Sequence, residues 1–301
     1  KQKPSDIMAA TDIAEEAFHL RLGYLKPETV EIARVELRET EEVKAEAIIK
    51  LRELLKATPE LNYKDDDAFL TVFLRACHFY PEGALEKMKT TASFRKEYAS
   101  LVRGLLVEQV KEKFVKGSVI NVLKNCDQKG RRVLIVNCGK LWDPSDITSD
   151  EMFRMLYMVH LAAQLEEETQ VRGVVCIMDF EGLSMKQEKA LSPSFSKRLL
   201  TFIQEAMPLR MKEVHFVKQP FIFNMVWSLF KPFVKQKLNN RMHFHGSDMK
   251  SLQKFLDPSV LPANYKGTLP AIDYGGVEWF PALEQQAQYV EEWSQLGPAQ
   301  W

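Results

Sequence analysis

His243 and His245 stand two residues apart, so on a strand they share a face and would clamp a metal ion with a third ligand, but no third ligand follows at metal spacing. Asp179 and Glu181 are near enough for acid–base work, yet no third group completes such a site. A strand-end carboxylate of this kind usually caps a helix or pairs locally. Gly182-Leu183-Ser184 opens like a nucleophile elbow and lacks the closing glycine. The chain contains neither an HExxH pair nor a Walker loop. Cys77, Cys126, Cys138 and Cys176 form no CxxC pair and have no histidine at metal spacing, which reads as reduced thiols. With no nucleophile–base or metal set assembled, no catalysis and no cofactor are expected.

The remaining chemistry is binding chemistry, and it is oily. Residues 149–170 open with Asp150 and Glu151 and continue apolar almost all round, through Met152, Phe153, Met155, Leu156, Tyr157, Met158, Val159 and Leu161. Such a helix must be covered on most sides. Either it is a plain core helix or one face lines a cavity. His160 in its middle is either a satisfied core residue or a ligand contact, since imidazole donates and accepts. Residues 220–241 are more distinctive. Their first half is aromatic and apolar on every side. Their second half sets Lys231, Lys235, Lys237 and Arg241 beside Phe233, Val234 and Leu238. Pro232 predicts a kink or break at Lys231. This segment is either a buried helix with a solvated basic end or an amphipathic cover for an oily ligand and a membrane interface. On the second reading, the greasy space behind Trp227 is a hollow that holds a guest.

These helices need a frame. Before residue 117 the pattern is helical: one long helix over 27–57 with Pro27 in its first turn, then two more over 66–102 punctuated near Pro81, and no strand. After it, short β-branched runs at 119–123, 133–137, 174–180, 214–217 and 241–245 alternate with helical stretches at 149–170, 187–206 and 220–239. That alternation predicts an α/β sheet with parallel pairs. The 301 residues suffice for a large core or an enclosed cavity. Formal net charge is zero, so no whole-molecule field draws the chain to nucleic acid or membrane. The charge is uneven, however. Residues 208–241 hold 7 basic residues and 1 acidic, residues 1–67 hold 11 and 16, and residues 242–301 hold 3 and 7. Apolar runs are too short to span a bilayer, and no secretory signal is read at the start.

Taken in order, several motifs resemble the CRAL-TRIO (Sec14-like) lipid-transfer family over about residues 25–280. They are Asp66-Asp67-Ala68-Phe69-Leu70-Thr71-Val72-Phe73-Leu74-Arg75-Ala76, Asp179-Phe180-Glu181-Gly182, Met207-Pro208-Leu209-Arg210, Gln219-Pro220, Phe230-Lys231-Pro232-Phe233, Arg241-Met242-His243-Phe244-His245-Gly246 and Leu261-Pro262-Ala263-Asn264-Tyr265-Lys266-Gly267, with Lys266 where glycine is common. The likeness is greatest to the family's tocopherol and retinaldehyde carriers and clavesins, and the helix from Pro27 resembles that of insect members. The resemblance implies an α/β fold with a helical N-terminal domain over 1–103. A CRAL-TRIO lipid-binding domain over 104–275 would follow, its mostly parallel β-sheet flanked by helices and covered by a mobile lid at about 218–241. Residues 276–301 would be a C-terminal extension.

It also implies ligand-lining positions at Phe153, Leu156, His160, Val174, Met178, Leu191, Leu199, Phe202, Ile203, Phe223, Val226, Leu229, Phe230, Phe233 and Val234, and phosphoinositide contacts at Arg210, Lys212, Lys237 and Arg241. A further arginine of the tocopherol carriers is Cys77 here. Leu156 and His160 replace two of their serines, and Met178 replaces the retinaldehyde carrier's acidic residue, so a drier pocket is expected with His160 as its main polar group. Leu209 replaces the glutamate of phosphatidylinositol exchangers, which counts against that cargo. The function implied is a non-enzymatic carrier of an α-tocopherol-like or other isoprenoid molecule. It would be a cytoplasmic monomer, peripheral and reversible on phosphoinositide membranes, with no nucleic-acid partner. A retinoid carrier and a phospholipid-exchange or phosphoinositide-presenting regulator are the alternatives.

Overall fold

The computed structural model describes residues 18–301, so the first part of the expected 1–103 domain lies outside the described residues. The segment expected as one helix over 27–57 is two, α1 (Pro27–Leu37) and α2 (Glu41–Lys56). Arg38 turns into the left-handed region at φ 64°, and Thr40 caps α2 by accepting from the Val43 amide at 3.2 Å. A cap signal thus outweighs a continuous charged pattern. A two-residue strand, β1 (Leu61–Asn62), also breaks the expectation of an all-helical first third. It pairs antiparallel with β7 (Gly297–Pro298) at the other end of the chain. Helices α3 (Asp67–Ala76), α4 (Pro81–Glu97), α5 (Ala99–Val102) and α6 (Lys111–Lys116) complete this unit. Asp66 caps α3 through the Phe69 amide, and Pro81 sits in the first turn of α4.

The central sheet has five strands in the order β2 (Ile120–Val122), β3 (Arg132–Asn137), β4 (Val174–Asp179), β5 (Met211–Val217) and β6 (Met242–Phe244). The first pair is antiparallel and the other three are parallel. The parallel crossovers carry the helices from Ser149 to Asn239. Between β3 and β4 lie α7 (Ser149–Ala163), started by a Thr148–Glu151 capping box, and α8 (Glu167–Arg172). The single helix expected over 149–170 therefore divides at Gln164–Leu165–Glu166. The stretch expected over 187–206 likewise divides, into α9 (Met185–Ala190), α10 (Pro193–Thr201) behind a Ser192-Pro193 start, and a π-helical turn, Phe202–Ala206. The lid segment is α11 (Phe223–Phe230), a 3-10 turn Lys231–Phe233 and α12 (Gln236–Asn239). Pro232 breaks it at Lys231 as its missing N–H requires. After β6 come α13 (Met249–Gln253), α14 (Phe280–Glu284) and α15 (Ala287–Ser294).

Strand alternation divides the interior in two. Val133, Ile135, Val175, Ile177 and Val217 point to the back of the sheet, where Met249, Leu252, Leu256, Leu261 and Tyr265 close over them. Val136, Cys176, Val214 and Phe216 point to the front, into the larger core shared with the helices. The turn from α8 into β4 depends on Gly173, at φ 83°. A Cβ there would lie 2.4 Å from the Arg210 carbonyl oxygen, so only glycine lets β4 and β5 begin side by side.

Candidate functional site

Between the front of the sheet and α7, α10 and α14 is a cavity of about 130 Å³ with an almost wholly apolar wall. Leu156, His160, Val174, Met178, Leu199, Phe202 and Ile203, expected from sequence, all line it. A second hollow of about 40 Å³ lies under the lid, lined among others by Leu156, Met178, Leu191, Leu199, Phe223, Val226 and Phe230. Val136, Leu156, Met178 and Leu199 border both and form the partition. Phe153, Leu229, Phe233 and Val234 line neither. Phe153 is packed between Phe94, Tyr157 and Phe202. The larger space is therefore not behind Trp227 but at the far end of the front face, because Phe180, Phe216, Phe223 and Trp227 fill most of the room beneath the lid.

The lid is amphipathic, with Asn224, Met225 and Ser228 exposed on its outer face. Phe223, Val226, Trp227 and Phe230, at helical spacing, turn inward, with Trp227 edge-on to Phe244 at 5.0 Å. Met225 is exposed on the outside, and Phe221, just before the helix, is 91% exposed. Phe221 and Met225 thus leave apolar surface open to water beside the lid.

His160 is 7% exposed and its Nδ1 has no hydrogen-bond partner among the described residues. Burial, then the positive Arg95, hold its pKa down to about 3, so the ring is neutral at physiological pH. The far end of the cavity is closed by Phe18 and Leu20 from the N-terminal side and by Trp279, Ala282 and Leu283 from the C-terminal side. Its charged wall residues, Arg132 and Glu166, are joined bidentately at 2.8 and 2.7 Å, with the guanidinium over the Phe18 ring.

Arg210, Lys212, Lys237 and Arg241 gather on the surface beside His78. Burial first and then Arg210 depress the Lys212 ammonium and the Arg241 guanidinium, while His78 is held low by burial and then by Arg210 and Lys237. Each cation thus raises the cost of its neighbours, a field that an anion would relieve. Two of them have a partner already: Glu36 on α1 takes Arg210 at 2.7 Å and Lys212 at 3.3 Å. Arg241 donates to the Met211 carbonyl, and Lys237 is exposed. Cys77 is tied locally, its Sγ 3.4 Å from the Gly83 carbonyl, with the thiol pushed up by burial.

The catalytic candidates are occupied. Asp179 accepts from Tyr265 at 3.0 Å and pairs with Lys218 at 3.1 Å, while Lys218 also holds Glu181. His245 lies between His215 at 2.9 Å and Ser251 at 2.8 Å on the back of the sheet, and His215 reaches Glu213 at 3.3 Å. Among the described residues no three His, Cys, Asp or Glu side chains are grouped to hold a metal, and no helix is long and apolar enough to cross a membrane.

The sequence pattern of the CRAL/TRIO domain matches residues 116–267. The human protein "Alpha-tocopherol transfer protein-like" is 33% identical over 277 residues, covering 91% of this chain and 80% of that one. Rat Clavesin-1 is 31% identical over 277 residues, 91% of this chain and 77% of its own. The chain belongs to the CRAL/TRIO family. The solved structure of Sfh5 superposes with a TM-score of 0.48 at 16% identity, over 82% of this chain and 98% of that one. The CRAL/TRIO match ends before Trp279, Ala282 and Leu283, and begins after Phe18 and Leu20. These wall residues had no signal in local periodicity, because each is one apolar side chain in a segment whose partner lies far along the chain. Arg132 and Glu166 escaped notice for the same reason.

Proposed function

We propose that this CRAL/TRIO protein is a non-enzymatic carrier that encloses a hydrophobic small molecule, α-tocopherol-like or another isoprenoid, beneath the α11 lid and releases it at phosphoinositide-containing membranes. The observation that carries the reading is the dry cavity between sheet and helices, which shares Leu156, Met178, Leu199 and Val136 as a wall with the space under an aromatic lid. Met178 is unbranched and adaptable, so a cargo displacing it joins the two spaces. Burying about 500 Å² of cargo at roughly 25 cal/mol per Å² offers ~10 kcal/mol before binding costs, enough without covalent chemistry. A family whose members transfer lipids and small molecules, and relatives named for tocopherol transfer, support the same reading. Extracting the purified protein with organic solvent and identifying the lipid by mass spectrometry tests it. A single-headed isoprenoid is expected, and a two-chain phospholipid would replace this reading with exchange.

Release needs a state the membrane prefers. The basic patch and the exposed Phe221 and Met225 flank the two ends of the lid segment, so docking there favours the open form. Lys237→Ala with Arg241→Ala removes two cations, each contributing about 1 kcal/mol near an anionic leaflet. Cargo transfer to phosphatidylcholine vesicles containing phosphatidylinositol bisphosphate should slow by about tenfold or more, with cargo affinity nearly unchanged and transfer to plain phosphatidylcholine unaffected. Equal rates for variant and wild type on both vesicles would reject the docking step.

A further inference from the structure

We infer that the C-terminal extension supplies the cavity's head-group contact: the indole N–H of Trp279 donates to an oxygen of the cargo, which is therefore a neutral, oxygen-bearing lipid rather than a hydrocarbon or a carboxylate. The inference rests on the carrier reading and narrows its cargo.

Trp279 lines the larger cavity, is 3% exposed, and among the described residues its Nε1 finds no acceptor. Its ring is held in place by Phe114 at 5.3 Å and 87°, and by Phe280. An indole nitrogen is a donor only, and a buried donor without a partner is costly, so the site is built to be completed by an acceptor. His160, also on the wall and also unpartnered at Nδ1, is the second polar group. As a neutral ring it offers a lone pair or an N–H but no charge. The charges on the wall do not help an ion either. Among the described residues they are Arg132 and Glu166, and each is satisfied by the other, with Thr169 donating to Glu166 at 2.7 Å and the Lys124 carbonyl accepting from Arg132 at 3.2 Å. A carboxylate entering this wall would meet no unspent cation and would lose its hydration uncompensated. An aldehyde, ketone, quinone or alcohol oxygen meets one waiting donor and, for an alcohol, a neutral imidazole in the same cavity.

Four probes share one C15 skeleton and differ only in the head: farnesene, farnesal, farnesol and farnesoic acid. Their binding at pH 7, followed by displacement of a fluorescent fatty probe or by native mass spectrometry, separates head from tail. Wild-type protein should bind farnesal and farnesol about tenfold more tightly than farnesene, with farnesoic acid the weakest oxygenated probe, as one buried hydrogen bond and one unpaired charge require. Trp279→Phe keeps the ring and removes the N–H. Farnesene affinity should stay within about twofold, which also shows that the variant is folded, while the farnesal advantage falls to about twofold. In wild-type protein the indole N–H signal of Trp279, assigned by its loss in that variant, should move downfield with farnesal and stay put with farnesene. If farnesene and farnesal bind equally, or if Trp279→Phe leaves their ratio intact, the head-group assignment falls and the carrier reading stands. If none of the four binds, the carrier reading falls and takes this assignment with it.

Discussion

Arg95→Leu is expected to cost about 3–5 kcal/mol of folding stability. Arg95 is 1% exposed and has no carboxylate partner among the described residues. Its Nε donates to the Tyr157 hydroxyl at 2.7 Å, and its Nη1 donates to the carbonyls of Trp293 and Leu296 at 2.5 and 2.8 Å. Those two carbonyls lie at the C-terminal end of α15, where the helix presents its partial negative charge, so the macrodipole takes the place of a counter-ion. Gly297, at φ 125°, lets β7 turn close over the arginine stem: a Cβ there would stand 3.1 Å from Arg95 Cδ. Removing the guanidinium orphans the Leu296 carbonyl and the Tyr157 hydroxyl, each worth about 1–3 kcal/mol when buried and unmet, and leaves the Trp293 carbonyl only its bond from the Leu296 amide. The loss should be visible as a lower denaturation midpoint, with hydrogen-exchange protection failing in α15 and β7 before it fails in β3 and β4. Arg95→Lys keeps the charge but not the fork, and should recover less than half of the loss. A variant as stable as wild type would show that the extension is docked by Trp293 stacking on Phe69 and Phe73 instead.

The sheet was legible because β-branched runs announce strands whatever surrounds them, and the family motifs placed those strands in order. Breaks within helices were less legible. Arg38 in a left-handed turn, beside the local Thr40 cap, and Glu166 between α7 and α8 also answer to distant segments: Arg38 lies 4.1 Å over the Tyr80 ring, and Glu166 is held by Arg132. The same division runs through the site. The lid showed itself in one continuous aromatic stretch, and His160 as a lone polar residue on an apolar helix. What the sequence did not show is that Glu36, 174 positions before Arg210, shares its charge, or that the roomiest end of the cavity is closed by Phe18 and Trp279 from opposite ends of the chain. Periodicity is a local signal and these are long-range pairings. It follows that the cavity depends on the segments around Phe18 and Trp279 staying docked, which is why the Arg95 clamp matters beyond stability. Trp279 and Leu283 precede α15 on the same extension, and a frayed extension leaves the cavity without its end wall.

Lowering the pH from 7 to 5 should cost this protein about 3–4 kcal/mol, before any carboxylate contributes. Two buried histidines carry most of the effect, and His78 and His243, held low chiefly by burial, add to it with the same sign. His160 is depressed to about 3 by burial and by Arg95. His245 is depressed to about 4 by burial and then by the neighbouring His215 and His243, with Asp248 opposing them. Both ordinary values are near 6.5, so the unfolded chain takes up protons first as pH falls. The sign is therefore that of a lowered histidine: full stability above about 6.5, lost progressively down to about 4 for His245 and about 3 for His160. Each full pH unit between these limits costs about 1.4 kcal/mol per histidine. Carboxylates such as Glu213 and Glu166, lowered in the fold by Arg131, His215 and Arg132 against the effect of burial, begin to matter only below their own unfolded value near 4.5, so the window from 6.5 to 5 isolates the imidazoles. The first element to open should be β6, an edge strand paired to β5 through three residues, since His215 and His245 share one hydrogen bond across that pairing. Denaturant unfolding at pH 7.0, 6.0 and 5.0 measures the slope. His160→Leu should reduce it by about 1 kcal/mol per pH unit below 6, because one of the two main proton sinks is gone. A wild-type stability that stays level from pH 7 to 5 would mean that one or both imidazoles reach solvent through an open form, and that the wall around His160 is wetter than its burial indicates.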